Sequence, residues 1–206
     1  MTTYTIAAVS AGLSQPSSTR LLADRLGAAA TAALRGHGAD DVRVVPVDVR
    51  DHAHALTDNV LTGFPNSALR EVLETVTGAD GLIAVTPVFN ASYSGLFKTF
   101  FDVIEPGALE GVPVLLGATG GTARHSLAID FALRPLMAYL RATVAPTGVY
   151  AASEDWGSEE SGLAARIERA GGELAALVAG RAPAVAPDPY EQPTPFEQLL
   201  RSASGA

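Results

Sequence analysis

The sequence predicts a three-layer α/β fold in which a five-stranded parallel sheet lies between two layers of helices. Short β-like segments recur five times, and segments with helical periodicity separate them. Runs such as LIAV and VPVLLGA are continuously apolar, which is typical of strands buried on both faces. This alternation indicates parallel strands joined by right-handed crossovers. The predicted strands are Tyr4–Val9, Val42–Val47, Gly81–Thr86, Val112–Ala118 and Thr143–Tyr150.

Helical patterns occupy the gaps between these strands. The first begins after Thr19, where apolar residues recur every three or four positions, and the second follows the start signal Pro65–Ser67. The fourth contains Pro135, which predicts a kink or a late start, and the fifth is weakened by the adjacent Gly171 and Gly172. The predicted helices cover Leu22–Ala33, Leu69–Val76, Gly95–Ile104, Ala128–Leu140 and Leu163–Leu177.

Two stretches fall outside this alternation. Residues 48–64 form a long connection after the second strand, which we interpret as a surface flap. Residues 181–206 are rich in proline and contain one short apolar cluster within Phe196–Leu200. This tail either is a disordered end or packs on its own domain or on a neighbouring subunit. We therefore divide the chain into one domain, residues 1–180, and a tail, residues 181–206.

Composition limits the classes of function. The 206 residues include no cysteine, which excludes disulfides and thiolate chemistry and fits a reducing cytoplasm. The formal net charge of -8, without a basic cluster, disfavours nucleic-acid or anionic-membrane partners. The N-terminal MTTYTIAAVS is interpreted as a first strand rather than a signal peptide.

His52 and His54 have a single carboxylate beside them, so we assign them to a solvated loop and predict no metal site.

The loop after the first strand, Ser10–Thr19, is rich in hydroxyl groups and leads into a helix; we call it the first loop. Helix N-termini carry unpaired N–H groups and partial positive charge, and Ser10, Ser17, Ser18 and Thr19 add hydroxyl donors that suit a phosphate. The loop lacks G-x-G-x-x-G and GK[ST], which favours a monophosphate over a pyrophosphate. Taken alone, the same residues equally fit a capping cluster without ligand.

Two further loops follow the third and fourth strands. The second loop, Thr86–Gly95, contains a stiffening proline, two aromatic side chains and Asn90, and suits the border of a flat polar heterocycle. The third loop, Thr119–His125, has paired glycines that allow close approach of the backbone to a ligand. The plainer alternatives are a helix start with core aromatics and a flexible turn. All three loops share one edge, where open parallel sheets bind ligands.

Three sequence blocks that contain these loops resemble one known family. They are VSAGLSQPSSTRLLADRL, then ADGLIAVTPVFNASYSGLFKTFFDVI with its P-x-[FY]-N and S-G-x-x-K elements, and VLLGATGGTARHSLAIDFALRPLMAYL with its T-G-G. In this order, from about Ile6 to about Tyr150, they resemble the NAD(P)H-dependent FMN reductases, above all the branch that serves two-component monooxygenases. Many members carry an arginine in the first loop. Here Leu13 and Ser14 occupy that region, so charge neutralisation of a phosphate depends on Arg20 folding back.

The resemblance implies a flavodoxin-like fold, FMN and NADPH or NADH as cofactors, a homodimer or homotetramer, and a flavin-dependent monooxygenase as partner. It implies that the first loop holds the FMN phosphate, the second lines the isoalloxazine ring and the third borders the opposite edge. The implied residues are Ser10, Ser17, Ser18 and Thr19 for the phosphate, Pro87, Val88, Phe89 and Asn90 for the ring, and Thr119, Gly120 and Gly121 for the opposite edge.

The implied reaction transfers a hydride from the nicotinamide to the flavin, and this chemistry belongs to the two cofactors. The protein has to stack the rings at roughly 3–3.5 Å and needs no side-chain acid or base, so we predict binding residues and no catalytic ones. Backbone donors of residues 87–90 or 119–121 are expected to stabilise the charge that develops on the flavin. Arg124 is either a contact to the nicotinamide nucleotide or a solvated residue, and His125 either a site contact or part of a helix start.

Other functions are compatible with the same loops. A flavodoxin-type electron carrier would keep FMN bound without oxidising NAD(P)H. A quinone, azo or chromate reductase would pass electrons from FMN to another acceptor. A non-enzymatic module would bind a different phosphate ligand. The elements beyond the five-strand core favour a reductase over a minimal carrier.

Overall fold

The computed structural model describes residues 2–157 and 161–181, so the predicted tail lies outside it from residue 182 onwards. Parallel strands with helices on both faces form its centre. The strands are β1 (Thr3–Ser10), β2 (Asp41–Asp48), β3 (Gly81–Phe89), β4 (Ser92–Tyr93), β5 (Pro113–Gly120), β6 (Thr143–Val144) and β7 (Val149–Ala152). The helices are α1 (Ser18–Gly36), α2 (Ala53–Thr62), α3 (Ser67–Thr77), α4 (Gly95–Asp102), α5 (Arg134–Tyr139) and α6 (Leu163–Gly180).

The sheet has the strand order β2-β1-β3-β5, and the short strands β6 and β7 share the fifth position beside β5. These pairs are all parallel, whereas β4 pairs with β3 in the antiparallel sense. Because β1 lies between β2 and β3, the winding direction reverses between β1 and β3. That reversal is the topological switch point, at whose carboxyl edge open sheets bind ligands. The predicted parallel sheet with five strand positions is confirmed.

The sheet separates two hydrophobic cores, which makes the fold three-layered. Along β3, Ile83 and Val85 belong to the core under α1 and α6, while Leu82 and Ala84 belong to the core under α2 to α5. All four side chains are fully buried. Burial on both faces explains why this strand is continuously apolar instead of alternating. Within the described residues, no helix is both long and apolar enough to cross a membrane.

The prediction of a surface flap after the second strand is wrong. A short 3-10 helix, Val49–His52, leads directly into α2, and Leu56 of α2 is fully buried in the core. The helix escaped detection because it also carries exposed apolar residues such as Leu61, which obscure the periodicity. His52 and His54 consequently lie on helices and not in a loop.

Prolines interrupt two of the predicted elements. The predicted strand Thr143–Tyr150 is divided into β6 and β7, with Pro146 between them, because proline has no N–H to donate to a neighbouring strand. The carbonyl oxygen of Pro146 accepts a hydrogen bond from the guanidinium of Arg134. The predicted fourth helix begins with a π-helical turn, Ile129–Leu133, before α5, which has Pro135 in its first turn. The predicted irregularity at this proline is confirmed.

Candidate functional site

The structure brings the three loops together at the carboxyl edge of β1, β3 and β5. In the sheet register, Ser10 at the end of β1 lies opposite Val85, and Pro87 lies opposite Thr119. A buried hydrogen bond of 2.8 Å joins the hydroxyl oxygens of Thr19 and Thr119. The start of α1 is therefore tied directly to the end of β5, which fixes the first loop relative to the third.

The first loop leads into α1, which has a side-chain N-cap. Ser17 is the N-cap, and its hydroxyl oxygen accepts a hydrogen bond of 3.2 Å from the backbone N–H of Arg20. Helix geometry leaves the N–H groups of Ser18 and Thr19 without intrahelical partners. The Ser17 hydroxyl keeps its own hydrogen for donation, and Ser18 is exposed. This donor set suits a bound anion.

Two of the predicted phosphate hydroxyls are engaged inside the protein. Ser10 is 1% exposed and donates to the Asp48 carboxylate at 2.5 Å, and Thr19 is 2% exposed and bonded to Thr119. A hydroxyl has one hydrogen to donate, so Ser10 cannot also donate to a phosphate while this bond is intact. In the Thr19–Thr119 pair either hydroxyl can be the donor. The roles of Ser10 and Thr19 at a phosphate therefore stay predictions, and the Ser17 and Ser18 hydroxyls are the ones that no bond within the protein requires as donors.

Arg20 lies in one cleft with Ser14 and Ser17 of the first loop, but its charge is already paired. Its guanidinium pairs with Asp24 at 2.7 Å and with Asp48 at 2.5 Å. The hydrogen bond to Asp24 raises the pKa of Arg20 above its ordinary value, and the charge of Asp48 adds to this, against partial burial that lowers it. Because two carboxylates already neutralise this cation, Arg20 adds no unpaired positive charge to the first loop.

The second loop is a tight β-hairpin. Asn90 and Ala91 have φ angles of 49° and 66°, the left-handed pair of a two-residue type I′ turn between β3 and β4. The Thr86 hydroxyl secures the hairpin base, because it accepts from the Ser94 N–H at 3.0 Å and donates to the Pro87 carbonyl at 2.9 Å. The ends of β3 and the start of α4 are thereby held rigidly beside the switch point.

The two aromatic residues of the second loop have different environments. Phe89 is 46% exposed at the hairpin, whereas Tyr93 is half-buried with its ring centroid 5.9 Å from that of Phe97. Pro87 and Val88 are half-buried beside Phe89, and Asn90 is exposed. Tyr93 packs against the core, as the plainer alternative holds. Phe89 is exposed, and its place at the border of a heterocycle stays a prediction.

The two glycines of the third loop differ in what surrounds them. A Cβ on Gly120 would lie 2.1 Å from the phenolic oxygen of Tyr150, which donates to the Thr122 carbonyl at 2.8 Å. Burial raises the pKa of this phenol, and the charge of Asp155 adds to the effect, which keeps it protonated as a donor. A Cβ on Gly121 would meet no atom within 4 Å. Gly120 is therefore required by the protein's own packing, and Gly121 leaves open space.

Sequence reasoning missed three residues at this edge, namely Asp48, Arg50 and Tyr150. Asp48 and Arg50 lie at the end of β2 and just after it, and the flap interpretation concealed their position. Tyr150 ends the predicted last strand, and no sequence signal marks its phenol as a donor to the third loop. The predicted fold itself indicates where Asp48 and Arg50 lie. Because β2 runs parallel to β1 and beside it, the carboxyl end of β2 has to lie next to the first loop. Arg124 and His125 are exposed on a short 3-10 turn of the third loop, and their roles stay predictions.

The chain matches the family model described as NADPH-dependent FMN reductase over residues 4–157, which contain all three loops. The chain belongs to this family. The resemblance predicted from the three sequence blocks is confirmed, and with it the reduction of FMN by NADPH or NADH.

Relatives of this FMN reductase are similar over most of their length. FMN reductase (NADPH) from Pseudomonas aeruginosa is 38% identical over 181 residues, which cover 86% of this chain and 94% of that protein. NADH-dependent FMN reductase SfnE from Pseudomonas putida is 36% identical over 174 residues, covering 82% and 89%. The solved structure of an oxidoreductase from Corynebacterium diphtheriae has a TM-score of 0.85 at 45% identity, covering 88% of this chain and 100% of that one. The predicted flavodoxin-like fold is confirmed.

Proposed function

We propose that this FMN reductase binds FMN across the three loops at the switch point. The phosphate is proposed to lie at the N-terminus of α1, and the ring between the second and third loops. The observation that carries this proposal is the donor set of the first loop, where Ser17 and Ser18 offer hydroxyls beside N–H groups that the helix leaves without partners.

The surroundings of the proposed ring site fit a flat heterocycle. Exposed Phe89 and half-buried Val88 offer apolar surface on the side of the second loop. On the side of the third loop, Gly121 leaves the backbone open to approach. A site with an apolar border and a few polar backbone groups is what a cofactor of this kind requires.

The contribution of the chain to the reaction is to bind and to orient. Bound FMN supplies the hydride acceptor, and NADPH or NADH the donor. The first loop fixes one end of the ligand, which sets the ring against the rigid hairpin of the second loop. Backbone N–H groups of the third loop are proposed to stabilise negative charge at the adjacent ring edge. We assign no catalytic residue.

We propose assembly into a homodimer or homotetramer, supported by large apolar side chains that the described part of the chain leaves exposed, such as Phe131 at 77% and Tyr139 at 85%. We also propose that the reduced flavin serves a monooxygenase in the cytoplasm, which rests on the sequence resemblance.

NADPH is the proposed donor if exposed Arg124 contacts the dinucleotide, and equal kinetics with NADPH and NADH would contradict that contact.

Gly121→Ala is expected to weaken FMN binding about tenfold, because its Cβ would occupy the space that the ring edge needs, while the protein itself has no atom there to clash with. The thermal midpoint should stay within a degree or two of the wild type. Fluorescence titration with FMN gives the Kd. Gly36→Ala is the matched control, since a Cβ at that position also meets nothing within 4 Å and lies at the far end of α1.

Steady-state oxidation of NADPH with FMN, riboflavin and FAD tests the function itself. We expect FMN to be preferred, because riboflavin lacks the phosphate that the first loop binds. Equal preference for riboflavin would refute the phosphate site, and an unchanged Kd in Gly121→Ala would refute the ring site. Oxidation that needs a quinone or azo acceptor would indicate the alternative reductase, and bound FMN without oxidation would indicate an electron carrier.

A further inference from the structure

The proposed phosphate site has little positive charge of its own. The first loop contains no lysine or arginine before Arg20, and Arg20 is neutralised by Asp24 and Asp48. Helix N-termini carry only about half a positive charge, whereas a phosphate monoester carries about 1.5 to 2 negative charges at neutral pH. A cation from elsewhere in the fold is needed to balance the ligand.

Arg50 lies directly against this loop. Its Nη1 donates a hydrogen bond of 2.8 Å to the backbone carbonyl of Leu13, across 37 positions of sequence. The fold makes this contact because β2 runs parallel to β1, with Asp48 opposite Ser10, and the 3-10 helix after β2 therefore starts beside the first loop.

Arg50 also faces a cleft that borders the first loop. The cleft has a volume of about 320 Å³ and is lined by Ser14, Gln15 and Ser17 of the loop together with Arg50. The hydroxyls of Ser14 and Ser17 and the guanidinium thus share one concave surface. Serine hydroxyls combined with a guanidinium are a common donor set for phosphate oxygens.

The charges around the cleft distinguish Arg50 from Arg20. Arg20 lines the cleft together with its two partners Asp24 and Asp48, and Asp51 lines it as well. Among the residues that the structure describes, no carboxylate lies within 4.0 Å of the Arg50 guanidinium. One of its five N–H groups binds Leu13, which leaves the planar fork available for an anion.

We propose that Arg50 supplies the positive charge for the FMN phosphate that the first loop lacks in this chain, and that it selects FMN over riboflavin. The proposal rests on the proposed phosphate site at α1. Arg50 is a binding residue, held in place by the Leu13 carbonyl and directed at the phosphate end of the ligand. It takes no part in hydride transfer.

Arg50→Gln tests this proposal, because it removes the charge and keeps a polar side chain. The glutamine amide is two bonds shorter than Nη1 and gives up the Leu13 bond, so the Kd for riboflavin reports any loss of support for the loop. We expect the Kd for FMN to rise at least tenfold and the Kd for riboflavin to change less than twofold. Arg50→Lys should recover part of the loss, since it keeps the charge without the fork. Inorganic phosphate should compete with FMN in the wild type and less in Arg50→Gln. Arg43→Ala, which removes an exposed arginine from the opposite end of β2, is the control.

The possible results separate the two proposals. Wild-type protein that binds FMN tightly, combined with an unchanged FMN Kd in Arg50→Gln, would overturn the role of Arg50 alone. An equal loss of FMN and riboflavin affinity would also overturn it, because Arg50 would then only support the loop. Wild-type protein that binds FMN no better than riboflavin would overturn the phosphate site itself. Thermal midpoints of all variants establish that each is folded.

Discussion

Gly171→Ala is expected to destabilise the protein by about 2–3 kcal/mol, since overpacking of a tight contact costs about this much. A Cβ at Gly171 would lie 2.7 Å from the Ala29 Cβ and 2.8 Å from backbone atoms of Ala29 and Ala30. Backbone atoms cannot rotate away as a side chain can, so α1 and α6 have to move apart. Because α1 also carries the proposed phosphate site at its start, its displacement should raise the FMN Kd as well.

Gly172→Ala is the matched control and should act in the opposite direction. A Cβ there would meet no atom within 4 Å, and the residue lies inside α6. Alanine is favoured over glycine in a helix by about 0.8–1 kcal/mol, so this variant should be more stable than the wild type. Urea unfolding of both variants measures the two changes. Destabilisation by both, or by neither, would contradict the close contact of α1 with α6.

This pair of glycines shows where sequence reasoning reaches its limit. Propensity treats Gly171 and Gly172 alike, as two residues that weaken a helix. Their difference arises from α1, which lies far away in sequence and contacts only one of them. The helices themselves could be predicted, because apolar periodicity is local, but the distance between two packed helices depends on which residues face each other.

In the candidate site, the position of the loops could be predicted from the sequence, but their hydrogen-bond partners could not. That Ser17, Phe89 and Gly121 would lie near one another could be predicted, since the carboxyl ends of neighbouring parallel strands share one edge. That Ser10 would donate to Asp48 could not, because the bond depends on the register of β1 against β2. Hydrogen-bond partners across the sheet follow from topology and register, which single loops do not reveal.

The flap interpretation failed for a related reason. Only one face of α2 is buried, and that face contributes Leu56 to the core while Val60 and Leu61 remain exposed. Without a clear apolar stripe, the segment has the composition of a surface connection. Its correct assignment matters because it turns Arg50 from a flap residue into a fixed neighbour of the first loop.

Gly120→Ala is expected to have the largest effect on the site. The new Cβ would lie 2.1 Å from the Tyr150 phenolic oxygen, so the phenol has to leave its bond to the Thr122 carbonyl. Strain and the lost hydrogen bond together should cost about 2–4 kcal/mol. With the third loop released, we expect the FMN Kd to rise more than tenfold. Thermal unfolding and fluorescence titration measure the two effects.

Tyr150→Phe tests whether residue 120 is a glycine because of packing against Tyr150 or because of contact with the flavin. It removes the phenolic oxygen, after which the nearest ring atom would be 3.2 Å from the Cβ at position 120. Alone, it should cost about 1 kcal/mol for the lost hydrogen bond. In Gly120→Ala/Tyr150→Phe the 2.1 Å clash is replaced by a tight contact of 3.2 Å, so the double variant should be more stable than Gly120→Ala. A double-mutant cycle measures this coupling.

The FMN affinity of this double variant then decides why residue 120 is glycine. If Tyr150 is the reason, the double variant should bind FMN as tightly as Tyr150→Phe alone, because both lack the hydrogen bond to Thr122 and differ only in the methyl group at position 120. If the flavin contacts residue 120 directly, the double variant should be stable and still bind FMN poorly. We expect recovery, since Gly120 is half-buried against Tyr150 while the neighbouring Gly121 is the exposed glycine with open space.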